Sequence, residues 1–197
     1  MAPERIDKNF SVGSSEMSDV KRILCGGRGG QGIIVMGKML GWAAMRNRYF
    51  ITILPAYGAE VRGGEAYCSV VISSQPIAMP EFDKADYFIT MNQISYDSFF
   101  RRLNTDGIII FNSSMIKEKK IKNINQVGIS ATQIASDIGN IKISNLVMLG
   151  AFCKVTNIFK ISDIINIMDD ALGSSKKRYF ELNKKALEQG WKIRNRR

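Results

Sequence analysis

The sequence predicts an α/β fold in three layers, with helices on both faces of a mostly parallel sheet. Short apolar or β-branched runs alternate with segments of helical periodicity, which is the pattern of strands joined by helices. The 197 residues are 45% hydrophobic and 23% charged, which is typical of a globular domain with a complete core. We therefore expect a single α/β domain over residues 20–190, a mobile polar leader at 1–19 and a basic tail at 191–197.

The domain is predicted to begin with a strand, a glycine turn and a helix. Residues 22–25 form a short apolar run, and the glycines of 26–30 follow it directly, so a buried strand is expected to end in a tight turn. From 31 to about 46 the pattern becomes helical, with glycine and alanine spaced to give a flat face that packs close to the sheet. A second strand is predicted over 49–54, where Pro55 stops it.

Four further strands and an intervening helix complete the predicted sheet. A helix over about 93–103 separates the fourth strand from the fifth, and Asp106-Gly107 indicates the turn before the fifth. Since parallel strands need a crossover connection, this order favours parallel pairing. The four strands are expected at 65–73, 86–91, 107–111 and 126–129.

The C-terminal third is predicted to be mainly helical. Ser162 is expected to cap a helix that runs to about residue 172, and Ser174 or Ser175 to cap the basic last helix. Short helices are also expected after Ser130 and over 145–157. The second of these would present one apolar face made of Leu146, Leu149, Gly150 and Cys153.

The composition excludes several classes of site. The three cysteines, Cys25, Cys68 and Cys153, are scattered and form no CxxC pair, which argues against a disulfide scaffold and against ligation of a cubane iron–sulfur cluster by this chain alone. We interpret them as small core residues in a reducing cytoplasm. Histidine is absent, which excludes Ser-His-Asp catalysis and His-ligated metals. Neither a signal peptide nor an apolar run of the roughly 20 residues that a membrane helix needs is evident.

Much of the positive charge is concentrated near the C-terminus. The net charge is +10, and residues 174–197 contain nine Lys or Arg and two Glu. Such a segment is a solvated helix face with a tail, or it binds an acidic protein surface or a nucleic acid. It lacks a repeated aromatic and basic pattern, which argues against nucleic acid.

The first chemical motif is Gly27-Arg28-Gly29-Gly30-Gln31-Gly32, which fits G-x-G-x-x-G between a predicted strand and a predicted helix. The glycines allow close backbone approach, and a helix N-terminus offers N–H groups to an anion. A dinucleotide site would also need an acidic residue roughly 20 positions later, and residues 47–52 contain none. Two interpretations remain open: a tight turn without a ligand, or recognition of another phosphate-bearing group.

The second motif is Tyr57-Gly58-Ala59-Glu60-Val61-Arg62-Gly63-Gly64. Glycines frame an opposite-charge pair, Glu60 and Arg62, within one loop. A guanidinium on such a loop suits bidentate capture of a carboxylate or phosphate. The pair could equally form a local salt-bridged turn, which contributes little at a surface.

Together the two motifs resemble the gamma subunit of 2-oxoacid:ferredoxin oxidoreductases, the family that acts on pyruvate, ketoisovalerate and 2-oxoglutarate. The resemblance continues through Asp86, Met91-Asn92-Gln93 and Asn112-Ser113-Ser114, and covers roughly residues 20–155. It implies a fold like domain III of pyruvate:ferredoxin oxidoreductase. The form of the second motif is closer to the 2-oxoglutarate and branched-chain members than to the pyruvate members.

The resemblance implies one component of a multisubunit enzyme that converts a 2-oxoacid and coenzyme A into acyl-CoA and carbon dioxide, with two electrons passing to ferredoxin. Thiamine diphosphate and the iron–sulfur clusters would belong to alpha and beta subunits, and a delta subunit in some members. This chain alone would bind no cofactor and would be inactive. Its expected role is to cover the active site and to help accommodate coenzyme A. The alternative is a free-standing regulatory module that binds a nucleotide or coenzyme A through the Gly27–Gly32 loop.

The candidate cofactor-binding or interface residues are those of the two motifs, and no catalytic or metal-ligating residue is expected. We expect the 57–64 loop to lie beside the glycine turn at the carboxyl edge of the sheet. Arg62 would then face a partner loop or a phosphate of coenzyme A, and Glu60 would orient it. The full set is Gly27, Gly29, Gly30, Gln31, Gly32, Tyr57, Gly58, Glu60, Arg62, Gly63 and Gly64.

Overall fold

The computed structural model describes residues 20–58, 64–117, 124–168 and 179–193. Within them the strands are β1 Lys21–Arg28, β2 Phe50–Tyr57, β3 Glu65–Ser73, β4 Ala85–Thr90, β5 Leu103–Asn112 and β6 Asn125–Ile129. The α-helices are α1 Ile33–Arg46, α2 Gln93–Phe99, α3 Ala131–Ile138, α4 Ser144–Thr156, α5 Ile161–Asn166 and α6 Phe180–Trp191. Short 3₁₀ turns occupy Phe100–Arg102 and Ile141–Ile143. The predicted leader at 1–19 and the predicted caps Ser174 and Ser175 lie outside these ranges.

The six strands form one mixed sheet in the order β2-β3-β1-β4-β5-β6. β1, β4, β5 and β6 pair in parallel, whereas β3 is antiparallel to both β1 and β2. β2 therefore runs in the same direction as β1, and β3 is reversed. The predicted α/β fold with a mostly parallel sheet is confirmed. The reversal of β3 brings the β2–β3 hairpin to the edge of the sheet where β1 ends.

Helices cover both faces of the sheet, but unequally. Successive residues of β1 point to opposite faces, so Ile23 and Cys25 belong to one core and Leu24 to the other. The first face packs against α1, α3, α4, α5 and α6. The second face packs against α2.

Helix α4 is the centre of the larger core. Every residue from Ser144 to Cys153 is buried. The helix is therefore buried on all sides in this stretch, and not only on the one apolar face that was predicted. Helix α6 approaches it very closely, because glycines occupy the crossing: a Cβ on Gly150 would lie 2.1 Å from Leu187 O, and one on Gly190 would lie 2.0 Å from Val147 O. The helix pair depends on these two positions having no side chain.

The prediction that Pro55 stops the second strand is wrong. β2 continues to Tyr57 and lies at the edge of the sheet, where a missing N–H interrupts no central ladder. Asp106-Gly107 is also not a turn before the fifth strand, because β5 begins at Leu103. Leu103 pairs with Ala85 and the next pair is Ile108 with Tyr87, so the strand accommodates the dipeptide in a bulge.

Two helix boundaries also differ from prediction. The helix predicted over 93–103 is split into α2 and the following 3₁₀ turn. Helix α5 begins at Ile161, so Ser162 is not its cap. Instead Asp163 Oδ2 accepts a hydrogen bond of 3.0 Å from the N–H of Lys160, which satisfies a donor at the helix start. Residues 169–172, to which this helix was predicted to extend, lie outside the described ranges.

The interpretation of the cysteines as core residues is confirmed. Cys25, Cys68 and Cys153 are buried and carry no disulfide, and Cys25 lies directly opposite Cys68 in the antiparallel β1–β3 pair. Burial raises the pKa of Cys68 to about 11 and raises the pKa of Cys25 and Cys153 as well. In the portions of the chain with described coordinates, no helix is both long and apolar enough to cross a bilayer.

Candidate functional site

The glycine turn connects β1 to α1 and requires glycine for two physical reasons. Gly30 and Gly32 have φ values of 93° and 75°, in the left-handed region that glycine adopts without strain. Space is the second reason: a Cβ on Gly32 would lie 2.4 Å from Asn145 Nδ2, and one on Gly27 would lie 2.4 Å from Ile33 Cδ1. The turn is therefore packed against both its own helix and the start of α4.

Gln31 ties this turn to the neighbouring strand–helix connection. Its Oε1 accepts hydrogen bonds from the N–H of Arg28 at 2.7 Å and from Asn92 Nδ2 at 3.2 Å. Asn92 in turn caps α2, because its Oδ1 accepts from the N–H of Ser95 at 2.9 Å. The first motif and the Met91-Asn92-Gln93 segment thus form one hydrogen-bonded unit at the carboxyl edge of the sheet.

The described ends of the second motif lie beside the same turn. Tyr57 is the last residue of β2, and the N–H of Gly58 donates to Glu65 O at 2.7 Å across the hairpin. The N–H of Gly29 donates to Gly64 O at 2.9 Å. The structure therefore brings Gly29 of the first motif into contact with Gly64 of the second.

Glu60, Arg62 and Gly63 lie outside the described residues. The predicted orientation of Arg62 by Glu60, and the direction in which Arg62 points, stay predictions.

The other segments of the resemblance have structural roles. The side chain of Asn112 is buried and donates to Thr132 Oγ1 at 2.8 Å, which joins the end of β5 to the first turn of α3. Asp86 is at the start of β4, the opposite edge of the sheet from the glycine turn. Its carboxylate accepts from the N–H of Arg22 at 2.8 Å and from Asn104 Nδ2 at 2.7 Å. Asp86 therefore links the starts of β1 and β5 to the start of β4 by hydrogen bonds, and it is remote from the two glycine motifs.

A cavity of about 650 Å³ opens beside the glycine turn, and we call it the α1 cavity. Gly29, Gly30 and Gly32 form one wall, together with the first turn of α1. Tyr57 of the second motif and several residues that belong to neither motif form the other walls. The polar and charged side chains around it are Arg28, Tyr57, Asn140, Lys142, Asn145, Tyr179 and Asn183.

Sequence reasoning missed Lys142, Asn145 and Asn183 because they follow the glycine motif by more than a hundred residues and belong to no motif. Asn145 donates to Gly32 O at 3.4 Å, so it also fixes the turn. The sequence contained only a weak indication of these residues. Asn145 and Asn183 are polar residues on helices whose neighbouring positions pack into the core. A buried polar residue on such a helix needs a partner.

Among the described residues, no cluster of three or more cysteine, aspartate or glutamate side chains could hold a metal ion. What the site offers instead is backbone N–H groups, side-chain amides and two cationic side chains around a cavity. Such groups recognise anions and hydrogen-bond acceptors rather than metals.

Comparison with known proteins identifies related chains. A family model described as pyruvate ferredoxin/flavodoxin oxidoreductase matches residues 22–193. The ketoisovalerate oxidoreductase subunit VorA of Methanothermobacter marburgensis is 30% identical over 98% of this chain and 42% of that protein. The 2-oxoglutarate synthase subunit KorC of Methanocaldococcus jannaschii is 34% identical over 70% of this chain and 76% of that protein. This chain therefore spans less than half of VorA but about three quarters of KorC.

A solved structure has the same fold. A chain of the 2-oxoglutarate:ferredoxin oxidoreductase from Magnetococcus marinus, solved with 2-oxoglutarate, coenzyme A and succinyl-CoA, has a TM-score of 0.80 and 21% sequence identity. The match covers 88% of this chain and 31% of that chain. At this level of identity the likeness supports the fold.

Proposed function

Because the chain belongs to the pyruvate ferredoxin/flavodoxin oxidoreductase family, we propose that it is the gamma-type subunit of a multisubunit 2-oxoacid:ferredoxin oxidoreductase. The complex would convert a 2-oxoacid and coenzyme A into acyl-CoA and carbon dioxide and pass two electrons to ferredoxin. The observation that carries the proposal is the family match over residues 22–193. The hydrogen bond between Gly29 and Gly64 supports it, because it joins the two motifs of the resemblance at one edge of the sheet.

Thiamine diphosphate and the iron–sulfur clusters are proposed to lie on alpha and beta subunits, with a delta subunit where one is present. Thiamine diphosphate would supply the decarboxylation chemistry, and the clusters would carry the two electrons. This chain has no CxxC pair and, where its structure is described, no cluster of metal-ligating side chains. Its contribution would be a covering surface rather than a reacting group.

The covering surface is proposed to be the carboxyl edge of the sheet, formed by the glycine turn and the β2–β3 hairpin. Gln31 and Asn92 stiffen this edge through their shared hydrogen bond, so the turn can present its backbone in a fixed position. The glycines at 29, 30 and 64 leave room for another subunit or for coenzyme A to approach the backbone. Arg62 is proposed to add a positive charge from the tip of the hairpin.

The favoured substrate is 2-oxoglutarate or a branched-chain 2-oxoacid rather than pyruvate. The support is the form of the Tyr57–Gly64 motif. The chain itself would not select the acid, because the reacting centre is proposed to lie on other subunits.

Affinity purification of the tagged chain from its native host tests the subunit role. The proposal expects larger chains that contain thiamine diphosphate and iron to co-purify, and expects the purified assembly to form acyl-CoA with reduction of ferredoxin. A tag on an unrelated protein of the same host is the control for adventitious capture. Recovery of a monomer that carries a bound nucleotide would contradict the proposal and support the free-standing module instead.

A further inference from the structure

Strand β2 leaves one side of its backbone open. It is the outermost strand of the sheet, and no described strand pairs with its far side. The N–H of Gly58 donates to Glu65 O across the hairpin, and the direction of the backbone groups alternates from residue to residue along an antiparallel strand. The even-numbered residues of β2 therefore direct their backbone groups to β3, and the odd-numbered residues direct theirs outward. The outward set is Ile51, Ile53, Pro55 and Tyr57.

Within β2, the feature that protects this open edge is Pro55. The strand contains no Asp, Glu, Lys or Arg, although charged side chains are a common protection of a free edge. Pro55 has no N–H, and its ring obstructs a neighbouring strand at that position. The first half of β2 has no such obstacle, because Ile51 and Ile53 each present an N–H and a C=O outward. A pairing strand is therefore limited to the segment before Pro55.

Apolar side chains flank the open edge on both faces of the sheet. On the second face, Phe50 is 48% exposed and Leu54 is 36% exposed. On the first face, Gly41 packs α1 against β2, and the same helix exposes Trp42 and Met45. Apolar surface on both sides of an unpaired strand favours cover by another strand that brings its own apolar flanks.

We infer that two copies of this chain pair through the first halves of their β2 strands, antiparallel about a two-fold axis, and so join their sheets. An interface of this symmetry must be complementary to itself, and β2 meets that condition in the register centred on Thr52. Ile51 of each copy exchanges both backbone hydrogen bonds with Ile53 of the other, so every outward donor and acceptor of β2 ahead of Pro55 is used. Phe50 and Leu54 of different copies then lie directly opposite each other, which pairs the exposed apolar residues of the strand.

Neighbouring registers fit less well. Shifting one copy by two residues sets Pro55 opposite Ile51, where the ring blocks a hydrogen bond, or sets Ile53 opposite Tyr49, which lies outside β2. The centred register also serves Thr52, whose Oγ1 is enclosed without a hydrogen-bond partner in the described structure. On the two-fold axis, rotation about χ1 turns this hydroxyl towards the same hydroxyl of the second copy.

The helices above the edge are compatible with this pairing. α1 lies over both β2 and β3, because Gly41 packs against Ile53 and Gly37 against Cys68. Two such helices stand roughly 10 Å apart across the new strand pair, which is the spacing of packed helices. The strand edges and exposed apolar side chains of two copies bury roughly 1,000 Å², the lower limit for a specific interface, so the pairing depends on concentration. Because the paired strands are antiparallel, the two carboxyl edges point to opposite ends of the dimer.

Mixed cysteine variants of the full chain test the register. Phe50→Cys mixed with Leu54→Cys should form a disulfide between copies in oxidised glutathione, because the two positions face each other at a Cα separation of about 4.5 Å. Each variant alone is the matched control, since identical positions of the two copies lie about 13 Å apart along the strands, too far for a disulfide. The mixture keeps the other Phe50–Leu54 contact, and the native cysteines are buried. Mass spectrometry of the non-reduced peptides identifies the bond.

Charges on the two-fold axis test the pairing in solution. Thr52→Lys sets like charges opposite each other, and we expect the dimer dissociation constant from sedimentation equilibrium to rise by at least about tenfold. Thr52→Glu should do the same, whereas an equal mixture of the two variants should pair nearly as well as the wild type. Met115→Lys adds the same charge on the far side of the sheet from β2 and should leave the constant unchanged. Thermal melts check that each variant is folded.

The inference is wrong if the full chain stays monomeric at all concentrations, if the mixed cysteine variants form no disulfide, or if each variant alone cross-links as well as the mixture. It is also wrong if Leu54→Cys in the purified assembly cross-links to a larger subunit instead of a second copy. Co-purification of larger subunits with the wild-type chain is a separate readout. A chain that pairs through β2 but captures no larger subunits would contradict the proposed function and leave the pairing intact.

Discussion

At the scale of single residues, Gln31 connects two loops by hydrogen bonds. The sequence placed it within a glycine motif, where it could have been a ligand contact, an interface residue or a turn residue. In the fold its Oε1 accepts from Arg28 N–H and Asn92 Nδ2, so it acts as a brace between two loops. A brace of this kind affects function by holding the edge of the sheet in one geometry.

Replacing Gln31 should therefore affect stability and assembly together. Gln31→Met removes the acceptor for two partly exposed donors, and we expect unfolding free energy to fall by about 1–2 kcal/mol and assembly with partner subunits to weaken. Gln31→Glu retains an acceptor oxygen and should stay close to wild type. Urea denaturation and pull-down yield measure the two effects. Equal behaviour of the Met and Glu variants would show that the hydrogen bonds do not matter.

For Arg62 we expect the opposite result, because a charge pair within a surface loop contributes little to the stability of the lone chain. We expect Arg62→Ala to change folding stability by only about 0–1 kcal/mol. It should nevertheless weaken assembly or raise the KM for coenzyme A, because removing one member of a desolvated charge pair at an interface costs about 2–5 kcal/mol. Arg62→Lys, which keeps the charge but not the bidentate geometry, is the matched control. A sharp fall in the Tm of the lone chain with unchanged assembly and kinetics would mean that Arg62 only fastens its own loop.

At the scale of elements, the crossing of α4 and α6 has the least tolerance for change. Both glycines at the crossing face backbone atoms of the other helix, and backbone atoms cannot move aside as a side chain can. The same α6 carries Asn183 into the α1 cavity. The position of one helix thus sets both the main core and a wall of the candidate binding site.

Adding a single methyl group at the crossing should separate the two helices. We expect Gly150→Ala to destabilise the fold by at least about 1–3 kcal/mol, the usual cost of overpacking, even though alanine favours helix in isolation. Lys185→Ala, on the exposed side of α6, tests the helix preference without the crossing and should be nearly neutral. Denaturation midpoints of the two variants provide the comparison. A Gly150→Ala variant as stable as wild type would show that the helices can shift apart at no cost.

The bounds of a strand could be predicted where its local sequence pattern agrees with its position in the sheet. The prediction was wrong where the position in the sheet overrides the local pattern. β3 matches its predicted bounds, because alternation and β-branching persist to its end. Pro55 and Asp106-Gly107 were misjudged because an edge position and a bulge tolerate residues that end strands elsewhere. The burial of α4 on all sides was missed because one apolar face is the expectation only for a helix that also meets solvent.

At the scale of the whole molecule, the surface is incompletely covered on the second face. Helix α2 packs over part of this face, while β2 at the edge leaves Phe50 48% and Leu54 36% exposed. Large apolar side chains exposed along an edge strand are typical of a surface that another chain covers.

This surface predicts how the isolated chain behaves. We expect the purified chain to self-associate as its concentration rises, because an exposed apolar edge is available for pairing. The double variant Phe50→Lys, Leu54→Lys should be more monomeric and should lose affinity for partner subunits. Met115→Lys, which replaces an exposed apolar side chain after β5 on the far side of the sheet from β2, is the control for self-association. Sedimentation velocity is the measurement, and a wild-type chain that stays monomeric at all concentrations would contradict the expectation.

Only some residues of the candidate site could be predicted from the sequence. Both glycine motifs could be found from the sequence because each is a continuous segment with its own spacing. Their meeting through Gly29 and Gly64 followed from a general rule about strand ends. The far walls of the α1 cavity could not be found in this way, because the fold alone brings Asn145 and Asn183 next to residues more than a hundred positions earlier.

Chemical labelling of the three buried thiols can measure the rate at which the folded chain unfolds. An alkylating reagent reacts with the thiolate, and burial both shields Cys25, Cys68 and Cys153 and raises their pKa, so the native chain should label very slowly. Cys25 and Cys68 lie on paired central strands, and Cys153 lies on the central helix. A mass increase at all three positions therefore reports opening of the whole core, whereas labelling of Cys153 alone would report that the helical layer detaches while the sheet stays closed. If the proposed partner subunits cover the sheet, they should slow this labelling, and the same reagent would then measure how long the proposed complex stays closed.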